Sequence, residues 1–83
     1  MENADDLMRV CSDKVAKLLT KKRKQTRLTQ AMLAKKLGIS RAAITKRESE
    51  GTRDLAEILK HLGMLESDPR ESLLDLINQI AMK

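Results

Sequence analysis

The fold is decided by the stretch Leu28–Glu48, LTQAMLAKKLGISRAAITKRE. Leu33, Ala34 and Leu37 fall on one helical face, and Gly38 then interrupts the run. Glycine accepts a left-handed backbone just past a helix end, and Ser40 can cap a new helix through its side-chain oxygen. In the next run, Arg41 to Glu48, Ala43 and Ile44 turn inward while Arg41, Ala42, Thr45 and Lys46 project from the opposite side. The stretch predicts two short helices joined by a glycine turn, the second presenting small and basic side chains. Thr29 caps the first of them, Gln30 opens it, and Leu28 and Leu33 can pack across the cap as a hydrophobic staple. Met32 reads equally as core filler or surface.

Upstream, Leu7, Cys11, Val15, Leu18 and Leu19 form the apolar stripe of helix 1. Asn3 can cap it, with Asp5 and Asp6 set against the positive end of its dipole. Ser12 and Asp13 offer a second start, so one continuous helix and a short helix followed by a longer one are both compatible with the sequence. Its end carries Lys21, Lys22, Arg23 and Lys24, which suit a carbonyl terminus and could reach a phosphate.

Downstream, Asp54 with Glu57 makes a capping box, Leu55, Ile58, Leu59 and Leu62 form an inward stripe, and Gly63 ends that helix. His61 faces away from the stripe and reads as solvated, with no partner spaced for metal or catalytic work. A last helix, over 68–82, starts at Asp68-Pro69 with Glu71 as a second box. Leu73, Leu74, Leu76, Ile77 and Ile80 give it a stripe wider than docking on a small bundle needs, so part should pack on helix 1 and the rest on a twin subunit.

Composition narrows the class. The chain has 83 residues and no Phe, Tyr or Trp, so the core is aliphatic and an all-helical bundle fits. A domain this small would gain much of its buried surface from a dimer interface. The single cysteine allows no internal disulfide and reads as a buried thiol in a reducing, cytoplasmic setting. No apolar run is long enough to span a bilayer, and the acidic MENADDLM start is unlike a signal peptide, so a soluble, unprocessed protein is expected. The net charge of +5 understates the asymmetry: thirteen lysines and arginines lie between Lys14 and Arg53 against Glu48 and Glu50 alone. A basic middle between acidic ends implies one positive face, the footprint of a polyphosphate partner. No nucleophile with a spaced base, glycine-rich phosphate loop or paired carboxylates is present, so neither an enzyme nor a cofactor or metal site is expected.

The stretch resembles the helix-turn-helix domains of Cro and the phage repressors. Leu28, Thr29, Gln30, Leu33, Ala34, Leu37, Gly38, Ile39, Ser40, Ile44 and Glu48 match that pattern in register over roughly residues 19 to 63, and Arg23 sits where the family has an arginine closing helix 1. The resemblance implies a compact all-α bundle of four or five helices, of the lambda-repressor-like type, occupying 1–83 as a single domain and binding double-stranded DNA as a two-fold homodimer. It places base reading on Arg41, Ala42, Thr45 and Lys46. It places a phosphate contact on Gln30 at the start of helix 2; Thr29, Arg23, Lys35, Ser40, Arg47 and Arg53 join it as candidate phosphate ligands by charge and position, and Leu73, Leu74, Leu76, Ile77 and Ile80, from their apolar stripe, are the candidate dimer interface. Three positions depart from the family: Arg27 stands where glycine is usual, Arg47 where an aromatic or leucine precedes the closing Glu48, and the loop SEGTR is short and lacks proline.

Two functions follow as expectations. The first is a sequence-specific DNA-binding transcriptional regulator, a repressor of phage-like or autoregulatory type acting on an inverted repeat. The second is an antitoxin-type module that masks a protein partner, with DNA binding secondary.

Overall fold

A computed structural model describes the backbone of residues 4–81 and the side chains of 11–81. Five helices make up the described chain: α1 (Ala4–Gln25), α2 (Gln30–Leu37), α3 (Arg41–Glu50), α4 (Leu55–Leu65) and α5 (Arg70–Ala81). The first is continuous through Ser12 and Asp13, which settles its two possible starts. The expected cap Asn3 and the side chain of Leu7 lie outside the described residues.

The turns on either side of α2 are built alike. After α1, Leu28 N–H bonds Arg23 O at 3.3 Å and Arg27 N–H bonds Lys24 O at 3.1 Å. After α2, Ile39 N–H bonds Ala34 O at 3.0 Å and Gly38 N–H bonds Lys35 O at 3.3 Å. Both are Schellman closures, which need one residue in the left-handed region. Gly38 supplies it at φ 69°, but in the first turn Arg27 does so at φ 60°, a conformation costing a residue with a Cβ roughly 1 kcal/mol. Arg27 therefore keeps the turn geometry of the glycine it replaces and absorbs the strain.

The helix starts follow the sequence. Thr29 Oγ1 accepts from Met32 N–H and Ser40 Oγ from Ala43 N–H, each at 3.1 Å. Asp54 accepts from the Ala56 and Glu57 amides, but the reciprocal half of that box is replaced: Asp54 N–H bonds the Thr52 hydroxyl instead of Glu57. Asp68 accepts from Arg70 N–H, and α5 begins one residue past Pro69.

Two aliphatic clusters share α4. Val15 and Leu19 of α1, Ile58 and Leu62 of α4 and Leu76 of α5 form one, with Leu18, Leu73 and Ile80 against it. Leu33 and Ala34 of α2, Ile44 of α3 and Leu65 of α4 form the other, bordered by Leu28, Leu37 and Ile39. Spanning both changes several expectations. The helix runs through Gly63 and ends at Leu65, because Leu65 is needed in the second cluster. His61 is fully buried, not solvated, with Arg47 and Glu48 of α3 and Arg23 of α1 as its charged neighbours. Leu55 is exposed and Leu59 largely so, off the inward face assigned to them, and Met32 lies at the surface.

In α5, Leu76 belongs to the core and is corrected out of the dimer set, with Leu73 and Ile80 half-buried beside it. Leu74 and Ile77 stay 61% and 57% exposed.

Candidate nucleic-acid interface

α3 has little apolar character and is held by one anchor. Ile44 is fully buried, which turns the opposite side outward, and Arg41, Ala42, Thr45, Lys46 and Ser49 are all exposed there. The four side chains expected to read bases therefore share one solvent face. At the far end, Gly51 (φ 76°, ψ −169°) lets the chain leave α3 against the Ser12 backbone of α1, where a Cβ would come within 2.7 Å of the Ser12 carbonyl carbon.

A polar network fixes α3 relative to α1 and α2. Arg23 Nε and Nη2 donate to Glu48 Oε2 and Oε1 at 2.6 and 3.0 Å, and Arg23 Nη1 donates to Leu28 O at 2.8 Å. Gln30 Nε2 donates to the same Glu48 Oε1 at 3.2 Å, and Thr45 Oγ1 lies 3.1 Å from Gln30 Oε1. The Arg23 and Glu48 side chains are only 13% and 6% exposed. Burial pushes the Glu48 carboxyl up, but hydrogen bonds from Arg23 and Gln30 outweigh it and hold the group below the usual carboxylate range. The Glu48 hydrogen bond raises the Arg23 guanidinium above its ordinary value.

This network revises the expected phosphate set. Arg23 spends its whole guanidinium inside the protein, so it braces the helix-turn-helix and is corrected out of the phosphate ligands. The Gln30 side-chain amide is likewise committed internally, and only the backbone N–H groups at the start of α2 remain directed outward. Arg47 is mostly buried, its side chain 16% exposed, with Nη2 3.6 Å from Glu57 Oε1. Thr29 and Ser40 are exposed at the starts of α2 and α3, Lys35 in the last turn of α2 and Arg53 in the loop between α3 and α4.

Glu48 had one readable signal: it lies four residues after Ile44, on the same inward face. His61 had none. Its two ring nitrogens have no hydrogen-bond partner among the described residues, and burial, reinforced by Arg47 and Arg23 and opposed by Glu48, pushes the imidazole down to about 4.

A family model described as Helix-turn-helix matches residues 19–66, from the middle of α1 through the end of α4. The chain belongs to the helix-turn-helix family of Cro and the phage repressors. Its fold is the all-α, lambda-repressor-like one, and as a family member it is a DNA-binding regulatory protein. Comparison with curated proteins and with solved structures found no match. Among the described residues of this helix-turn-helix protein, no group of three or more His, Cys, Asp or Glu is arranged to hold a metal ion, and no helix is long and apolar enough to cross a membrane.

Proposed function

We propose that this protein is a sequence-specific regulator of transcription, a repressor of phage-like or autoregulatory type, that inserts α3 into the major groove of an inverted-repeat operator as a homodimer. One observation carries the reading: Arg41, Ala42, Thr45 and Lys46 stand together on the exposed face of a helix braced from behind by a buried ion pair. Arg41 presents a bidentate fork to guanine O6 and N7, Lys46 donates to the same acceptors, and Ala42 and the Thr45 methyl meet thymine methyls. Thr29, Lys35, Ser40, Arg53 and the first amides of α2 hold phosphates and set the register.

The homodimer is supported by exposed apolar surface on adjoining helices. Leu74 and Ile77 on α5 and Leu55 on α4 are exposed, and Leu59 is partly so. A two-fold helix-turn-helix dimer presents its two recognition helices about 34 Å apart, one turn of B-DNA. Selecting bound duplexes from a random library tests the whole proposal. Enrichment of an inverted repeat with half-sites one turn apart is expected, and recovery of unenriched sequence would refute it.

A further inference from the structure

A helix lying in the major groove, about 12 Å wide, runs between two phosphate strands. One flank of α3, the side of Thr45 and Glu48, faces the start of α2, to which Gln30 ties it. On the other flank, Ala43, Lys46 and Arg47 of α3, Gly51 and Thr52 of the loop and Glu57 of α4 line an open cavity of about 280 Å³. The Arg47 guanidinium and the Thr52 hydroxyl meet there, a donor pair suited to a phosphodiester.

In the free protein a carboxylate occupies that place. Glu57 Oε2 accepts the Thr52 hydroxyl at 2.7 Å, and Oε1 lies 3.6 Å from Arg47 Nη2. The Thr52 oxygen meanwhile takes the Asp54 amide at 3.2 Å, which frees Glu57 from the capping role its position suggests. Its link to Arg47 is loose, at a distance that exceeds a hydrogen bond, and the Glu57 side chain is 41% exposed, so the Thr52 bond is its main tie. A phosphate oxygen could accept from the same two donors if Glu57 swung outward on its flexible stem.

We infer that Glu57 is an internal stand-in for a DNA backbone phosphate, and that it limits affinity for any duplex by competing for Arg47 and Thr52. The inference rests on the DNA-binding reading above and adds to it a residue that opposes binding. Because it acts on the backbone, its effect is the same for operator and random sequence.

The test uses the full chain, with Glu57→Gln, Arg47→Gln and the double variant. Glu71→Gln, exposed on α5, makes the same change in net charge outside the cavity. Binding to a labelled mixed-sequence duplex of about two helical turns is read by fluorescence anisotropy over a salt series, with thermal unfolding of each variant alongside. Glu57→Gln should tighten binding about 3- to 10-fold at low salt, and clearly more than Glu71→Gln. In the Arg47→Gln background that gain should shrink, since one of the two contested donors is gone. Equal gains from Glu57→Gln and Glu71→Gln, a gain undiminished without Arg47, or no gain at all would overturn the inference while leaving the DNA-binding reading intact. A wild-type protein that binds no duplex overturns both. Should Glu57→Gln fail to fold, Glu57→Ala serves as the uncharged variant under the same criteria.

Discussion

Three Gly→Ala substitutions should separate by several kcal/mol although each adds the same methyl group. At Gly51 two costs combine. The backbone at φ 76°, ψ −169° is a region open essentially to glycine alone, worth about 1–3 kcal/mol of strain. The added Cβ would also press on the Ser12 carbonyl group, 2.7 Å from its carbon and 3.0 Å from its Cα, and α1 backbone cannot rotate aside as a side-chain tip would. Overpacking of that kind costs about 1–3 kcal/mol more. Together these amount to about 2–6 kcal/mol, a large share of the roughly 4–12 kcal/mol expected for a chain of this length. Gly38→Ala meets nothing within 4 Å and bears only the strain of φ 69°, about 1 kcal/mol. Gly63→Ala sits in open space inside α4 and should stabilise by about 0.5–1 kcal/mol, because the unfolded chain loses freedom. Urea unfolding followed by circular dichroism gives all three from midpoints at constant m value. If Gly51→Ala lies within about 0.5 kcal/mol of wild type, the close approach of the α3–α4 loop to α1 is wrong.

Other expectations follow from the same contacts. His61 is depressed to about 4 from its ordinary 6.5, so between those values the unfolded state binds more protons and stability should rise with pH, by about 2–4 kcal/mol in all; His61→Met should flatten that part of the profile while leaving the acid loss due to Glu48. Arg41→Ala should cost about 1–3 kcal/mol on the selected operator and relax one base position, and an equal loss on random duplex would contradict a base-reading role. Leu74→Glu with Ile77→Glu should abolish self-association in sedimentation with little loss of fold, whereas Leu76→Ala should lower stability by about 2–5 kcal/mol. Glu48→Ala should cost about 3–5 kcal/mol in chemical denaturation by leaving the Arg23 charge buried without its partner.

What the sequence made legible was local. Thr29, Ser40 and Asp54 announce helix starts because a cap is a contact over two or three residues, and Gly38 announces a stop because the left-handed region has few alternatives. The outward set on α3 followed from one periodicity and one anchor, Ile44. The failures share a cause of the opposite kind. Assigning α4 the stripe Leu55, Ile58, Leu59 and Leu62 put Leu55 and Leu59 inside and His61 outside, because the buried stripe, Ile58, His61, Leu62 and Leu65, is turned further round the helix and includes a histidine that an apolar wheel passes over. Gly63 looked like a terminator for the same reason: the burial of Leu65 in the second cluster carries the helix past it.

Arg23 shows why local charge reading fails in a basic stretch. Among Lys21, Lys22 and Lys24 it looks like one more surface cation, and its partner Glu48 stands 25 residues away on α3. Taking both ions out of water is expensive, and a pair of apolar residues of the same size would often be as stable or more so. What apolar packing would not supply is direction. The guanidinium fork meets both Glu48 oxygens and the Leu28 carbonyl, and the same carboxylate holds Gln30, so the end of α1, the turn, α2 and α3 are fixed by bonds that tolerate little rotation. A helix that reads bases as proposed would gain from that restraint, because a bidentate contact from Arg41 would fail if α3 turned by a fraction of its pitch. On this argument, replacing Arg23 and Glu48 together by Met and Leu should preserve stability better than either single loss, yet erode discrimination between operator and random DNA.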